Sequence, residues 1–263
     1  MITFDNLGRY EYGRLGNQLF QIALIVAYAY KYNHKWAIPE DWHYKSYFTY
    51  QFPTTNQLRD PFRIWRQNGT GYEDIPDMGY DVDFKGFFQS EKYFLHCRDM
   101  IKHIFTPTNE CISQLKSKLL GVGCKLDTTT CVIHVRRGDY LILNHFVGKQ
   151  YYLDAIDIMK NNGVLNFYII SDDLDWCRGE FSGSEYIFIT NNVDIEDLIC
   201  ASMFPNIIMA NSSFSWWAAY LGTHDKKVIC PALPFTWTDN CRDYYPSQWT
   251  KISGYAEWDN SKK

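Results

Sequence analysis

The chain has 263 residues, 46% hydrophobic and 21% charged, the composition of a globular core with room for one large domain or two smaller ones. Its formal net charge is −4, from 26 basic and 30 acidic side chains, whereas proteins that bind a nucleic-acid backbone carry a basic excess. DNA and RNA are therefore excluded as partners.

The amino terminus, MITFDNLGRY, lacks the basic stretch and apolar core of a secretory signal. The next stretch, GRLGNQLFQIALIVAYAYKY, reads as a glycine turn opening a helix that is apolar nearly all round, hence one enclosed by the fold. Asn17 lies in that turn, where its plain structural role is to cap the helix. The longest apolar run, from Ile22 to Tyr30, is far short of the roughly 20 residues of a membrane helix. From Trp42 to Phe88 the chain is rich in Tyr, Phe, Trp, Gln and Pro, and no period assigns it. Aromatics reach 17% of the chain; most fill core, but such rings also stack on sugars and bases.

TPTNECISQLKSKLLGVGCKLD, from Thr106 to Asp127, reads as a polar helix and a glycine-containing linker. It divides the chain into a domain of residues 1–115 and one of residues 116–263. After it the pattern becomes regular. TTTCVIHV reads as a buried strand, and QYYLDAIDIMKNNG as an amphipathic helix stopped by Gly163. NFYII is a strand, DLDWCRGEF a short helix, and EYIFIT a strand. DIEDLICASMF is a helix opened by Asp194, NIIMA a strand, SFSWWAAYLG a helix closed by Gly222, and KKVIC a fifth strand. Short apolar strands alternating with helices specify a parallel sheet covered on both faces, with ligands beyond the carboxyl ends of its strands.

Three of those ends carry polar groups: Arg136, Arg137 and Asp139; Ser171, Asp172 and Asp173; Asn211, Ser212 and Ser213. Two arginines after a strand, with a glycine to let the backbone approach, suit a diphosphate, and Asp139 is placed to hold a guanidinium from behind. The plain structural alternatives are paired surface cations for the two arginines, which the stretch favours less than an anion site, and an ordinary helix cap for Ser212. Trp216 and Trp217 belong to the core. Arg137-Gly138-Asp139 invites an adhesion reading, which its place beside a buried strand argues against. No G-x-x-x-x-G-K-[ST] loop occurs, and Asp81-Val82-Asp83 and Asp173-Leu174-Asp175 lack the setting of a metal-binding D-x-D. The eight cysteines form no C-x-x-C pair and no zinc-ligand spacing, so no metal is expected. Free thiols in apolar runs and the absence of a leader predict a reduced, cytoplasmic protein with no membrane span.

GRLGNQLFQ, HVRRGDY, SDDLDWC and NSSFSWWAAYL, in that order, resemble the α-1,2-fucosyltransferases over most of the chain. The resemblance implies an α/β fold of two facing Rossmann-like domains of GT-B type, with the GDP-sugar site in the carboxyl-terminal domain and the acceptor beside the amino-terminal one. It implies transfer of fucose from GDP-fucose, with inversion and without a metal, to a galactose hydroxyl of a glycan. His134, Arg136, Arg137 and Asp139 would form the donor site, with Arg136 on the pyrophosphate. Ser212, Ser213 and Phe214 would line the phosphate and guanine, and Asp172 or Asp173 would face the nucleoside. Asn17 would approach the reacting sugar. Animal members carry an amino-terminal anchor; this chain is similar to the soluble bacterial or viral type. Rival readings are a protein O-fucosyltransferase or α-1,6-fucosyltransferase, and a sugar-binding lectin without turnover.

Overall fold

A computed structural model describes residues 1–56, 63–190, 192–222, 225–235 and 241–254. The chain forms two compact units, divided after Cys111. The first holds Met1–Cys111 and a later return of the chain that includes Cys241–Pro246.

In the first unit, β1 (Ile2–Thr3), β2 (Ile38–Pro39), β3 (Thr54–Thr55), β4 (Arg63–Arg66) and β5 (Val82–Lys85) pair in parallel, in the orders β1-β5-β4 and β2-β3. The helix α1 (Leu15–Tyr32) is buried on all sides from Leu15 to Ala29 apart from Asn17, as an all-round apolar sequence requires. It ends at Asn33, which takes the left-handed conformation at φ 56°. Its amino-terminal cap is Arg14, without a side-chain hydrogen bond, so Asn17 is the third helical residue and not the cap. A short helix, α2 (Arg98–Ile104), follows, and α3 (Asn109–Gly121) spans the division between the units.

The second unit is built on β6 (Thr130–Val135), β7 (Asn166–Ser171), β8 (Tyr186–Phe188), β9 (Asn206–Ile208), β10 (Lys227–Pro231) and β11 (Thr250–Ile252). Their helices are α4 (Gly138–Ile142), α5 (Lys149–Asn161), α6 (Leu174–Glu180), α7 (Asp194–Ser202) and α8 (Ser213–Tyr220). All six strands are parallel, in the order β11-β10-β9-β6-β7-β8. Numbered within the unit this is the doubly wound order 3-2-1-4-5-6, and the chain reverses direction across the sheet between β6 and β9. Alternation along β6 turns Cys131, Ile133 and Val135 into a buried cluster with Tyr151, Tyr152 and Ile156 of α5. His134 faces the other way, toward α8. Val193, not Asp194, is the cap of α7; Asp194 is its first residue and accepts from the Ile195 amide at 2.8 Å. The cap that closes α8 is Leu221, one residue before Gly222.

Candidate active site

The ends of β6, β7 and β9 are neighbours in the sheet, so their polar loops lie side by side at the reversal point. Beyond β6 the chain passes through Arg136 and Arg137 into α4. Asp139, one turn on, accepts from Arg136 Nη2 at 2.7 Å. Asp172, just past β7, pairs through Oδ2 with Arg136 Nη1 at 2.9 Å as an ion pair and accepts from the Arg137 amide at 2.8 Å with Oδ1. One carboxylate therefore fixes both the guanidinium and the backbone that carries it. Gly138 permits this approach, since a Cβ there would stand 2.8 Å from Asp172 Oδ2.

Arg137 is turned the other way. Its Nη1 donates to Asp173 at 2.5 Å, and its guanidinium lies 4.9 Å from the Trp176 ring centre and 5.7 Å from that of Phe146. Asp173 also caps α6, accepting from the Trp176 amide at 3.2 Å. The Arg137 hydrogen bond, and then that amide, hold its carboxyl below the ordinary aspartate range. The charged ends of Arg137-Gly138-Asp139 are thus bound within the unit, not presented on a loop tip. Asp172 and Asp173, alternatives for one nucleoside contact in the sequence, each serve an arginine here. Arg136 keeps further N–H donors beyond its two carboxylate bonds, and Tyr140 lies 5.6 Å beneath it.

His134 is 5% exposed; its Nδ1 is hydrogen-bonded to Ser215 Oγ and its ring stacks on Phe214 at 4.7 Å. Tyr152 donates to its carbonyl at 3.4 Å. Burial, and then the Arg136 charge, push its pKa down to about 3. A neutral imidazole of that pKa is a poor proton acceptor, and its evident work is to tie β6 to α8. Ser212 caps α8, accepting from the Phe214 amide at 3.2 Å, and Ser213 is the first helical residue. Asn211 donates to the carbonyls of His145 and Pro234 at 3.0 and 2.9 Å.

Asn17 lies in the first unit. Its Oδ1 accepts from Gln89 Nε2 at 2.6 Å, and its amide lies so close over Gly13, φ 96°, that a Cβ there would meet Nδ2 at 2.0 Å. The sequence reading did not find Gln89, Phe146 or Trp176; the last was visible as an aromatic at the third position of a capped helix. Among the described residues no group of three His, Cys, Asp or Glu side chains could hold a metal ion, and no helix is long and apolar enough to cross a membrane.

The α/β fold with its parallel sheets is shared with solved fucosyltransferases. POFUT1 in complex with GDP-fucose superposes with a TM-score of 0.60 at 13% identity, over 87% of this chain and 96% of that one. The glycosyl transferase family 11 model matches residues 10–253, and the chain belongs to that family. An alpha-1,2-colitosyltransferase of Escherichia coli is 35% identical over 66% of this chain and 64% of its own length. Galactoside alpha-(1,2)-fucosyltransferase 1 of Aotus azarae is 29% identical over 82% of this chain and 65% of its own. The match thus spans just under two thirds of either relative.

Proposed function

We propose that the chain transfers L-fucose from GDP-fucose to the 2-hydroxyl of a terminal galactose, with inversion and without a metal. The observation that carries this is the Arg136 loop, held by Asp139 and Asp172 at the reversal point of the sheet in a member of glycosyl transferase family 11. In this reading two Rossmann-like domains face each other in GT-B fashion, residues 116–263 taking the donor and residues 1–115 the acceptor. Arg136 lies on the pyrophosphate. Ser212, Ser213 and Phe214 line the phosphate and guanine, and Asn17 approaches the reacting sugar. The acceptor oxygen attacks the anomeric carbon from the face opposite GDP. The bond to the β-phosphate breaks, negative charge moves onto GDP, and the hydroxyl proton is released. A fixed guanidinium favours that charge more in the transition state than in the ground state, which is the condition for catalysis. The eight cysteines, all free and buried, fit a reducing, cytoplasmic setting.

The test is to incubate the chain with GDP-fucose and galactose-terminated oligosaccharides and determine the linkage of the product by NMR. An α-1,2 product is expected; an α-1,6 product, or binding without turnover, overturns the reading. A second donor is favoured by one finding, the 35% identity to an alpha-1,2-colitosyltransferase. A colitosyl donor competed against GDP-fucose in the same assay decides between them.

A further inference from the structure

In the first unit, the backbone that carries Gln89 to Asn17 is held in a costly shape. Phe88, just before Gln89, has φ 50°, a left-handed conformation that a bulky side chain rarely adopts. Three sets of contacts enforce it. Gln67 Oε1 accepts from the amides of Phe87 and Phe88 at 3.0 and 2.8 Å. The Ser90 amide donates back to the Phe88 carbonyl at 2.8 Å, closing a tight turn about Gln89. The Phe88 ring is fully buried, edge-on to Phe4, Phe84 and Tyr93. Strain of this kind persists only where the surroundings over-determine it, and it collects at functional sites.

What the turn delivers is the half-buried Gln89 side chain, whose Nε2 donates to Asn17 Oδ1 at 2.6 Å. Neither side chain makes another hydrogen bond among the described residues. The ground beneath Asn17 is fixed as well. Gln18, buried, donates to the Gly13 carbonyl at 3.3 Å and accepts from Trp42 Nε1 at 2.9 Å. Gln21, also buried, donates to the carbonyls of Tyr12 and Gly86 at 2.8 and 3.2 Å, so it ties the turn before α1 to the turn that carries Gln89. An amide whose oxygen already accepts an N–H bond has its own N–H groups left to offer. We propose that Gln89 is a positioning residue: it occupies the Asn17 oxygen and thereby presents Asn17 as an N–H donor. The inference rests on the transferase reading for its effect on turnover, where such a donor favours an oxygen that gains negative charge as the bond to GDP breaks.

Gln89→Glu tests this, because it nearly keeps the shape and replaces the donor by an acceptor. Glutamate can stay bonded to Asn17 only by turning that amide over. In the full chain kcat should fall about ten- to a hundredfold, as it should in the uncharged Gln89→Met. GDP affinity, read by calorimetry, and the unfolding midpoint should stay at their wild-type values. In an Asn17→Ser background Gln89→Glu should cost nothing further, since Gln89 acts only through Asn17. A Gln89→Glu protein as active as wild type means the two amides meet the other way round, and it overturns the inference. An undiminished cost in the Asn17→Ser background, or a loss of GDP affinity matching the loss in kcat, does the same. Nitrogen-15 NMR supplies a reading that needs no turnover. The Gln89 side-chain amide, identified as the resonance lost in Gln89→Glu, should exchange its protons slowly, and Asn17→Ser should release it. Fast exchange in the wild-type chain removes the bond and the inference with it. No fucose transfer by the wild type, with the Gln89 amide still protected, sinks the transferase reading and leaves the orientation of Asn17 standing.

Discussion

Gly138→Ala sets two effects of opposite sign against each other. Gly138 opens α4, and helix propensity alone credits alanine there with up to about 1 kcal/mol. The new Cβ would stand 2.8 Å from Asp172 Oδ2, well inside the 3.4 Å at which ordinary contact begins. Asp172 cannot yield freely, because it holds Arg136 Nη1 at 2.9 Å and the Arg137 amide at 2.8 Å. Displacing it weakens the charge-assisted hydrogen bond from the Arg137 amide, of a kind worth about 1.5–3 kcal/mol, and loosens the ion pair to Arg136, whose side chains are 15% and 24% exposed. The net expectation is a loss of about 1 kcal/mol in urea unfolding and at least about a tenfold loss in kcat/KM for GDP-fucose. In an Asp172→Ala background the clash is gone, so the same substitution should be neutral or stabilising, a coupling that a double-mutant cycle measures directly. A Gly138→Ala protein as stable and active as wild type would refute the account of the loop.

Arg136→Ala should keep the fold and lower kcat/KM about a hundred- to a thousandfold, and Arg136→Lys should rescue little because a point charge cannot reproduce the fork; steady-state kinetics checks both. Asn17→Ser should lower kcat while GDP affinity, read by calorimetry, stays constant, because Asn17 is not the helix cap that serine would replace. His134 is held near pKa 3 when folded and rises toward 6.5 when unfolded, so the unfolded chain binds the extra proton. Stability should therefore fall as pH drops below about 6.5, by up to about 1.4 kcal/mol per unit. His134→Gln should remove that slope, and the difference between the two proteins isolates it from Asp197, whose burial raises its pKa to about 6 and acts in the opposite sense. Transfer should survive EDTA; loss restored by manganese would overturn the arginine-based mechanism.

The second unit was legible because β6 and β7 are six-residue strands built on short apolar runs, enough for a strand signal, and because helices separate them. β11, Thr250–Ile252, was not, since two of its three residues are exposed and it has no apolar face to betray it. The first unit failed for a related reason: β2 and β3 are two residues each, shorter than any period. At the candidate site, the strand ends read from sequence do lie at one edge of the sheet, but sequence could not divide their labour. Which of two adjacent aspartates grips which arginine depends on the cap of α6, and a cap is a matter of backbone angles. The plain structural alternative for Asn17, a helix cap, fails because this helix begins at an arginine with no side-chain cap, although asparagine commonly caps helices.

Arg136 rests between Asp139 and Asp172, and Arg137 against Asp173. A loop with two cations is thereby electrically quiet from a distance. It will not gather sulfate, free phosphate or polyanions from the medium, and diffusion of a donor toward it gains little from long-range attraction. Ionic strength should consequently have a shallow effect on donor association, far from the steep response of a bare basic patch whose counterions are released on binding. Selection among anions then falls to contacts made only after arrival, where a pyrophosphate can meet the remaining guanidinium donors and a smaller anion leaves them unused.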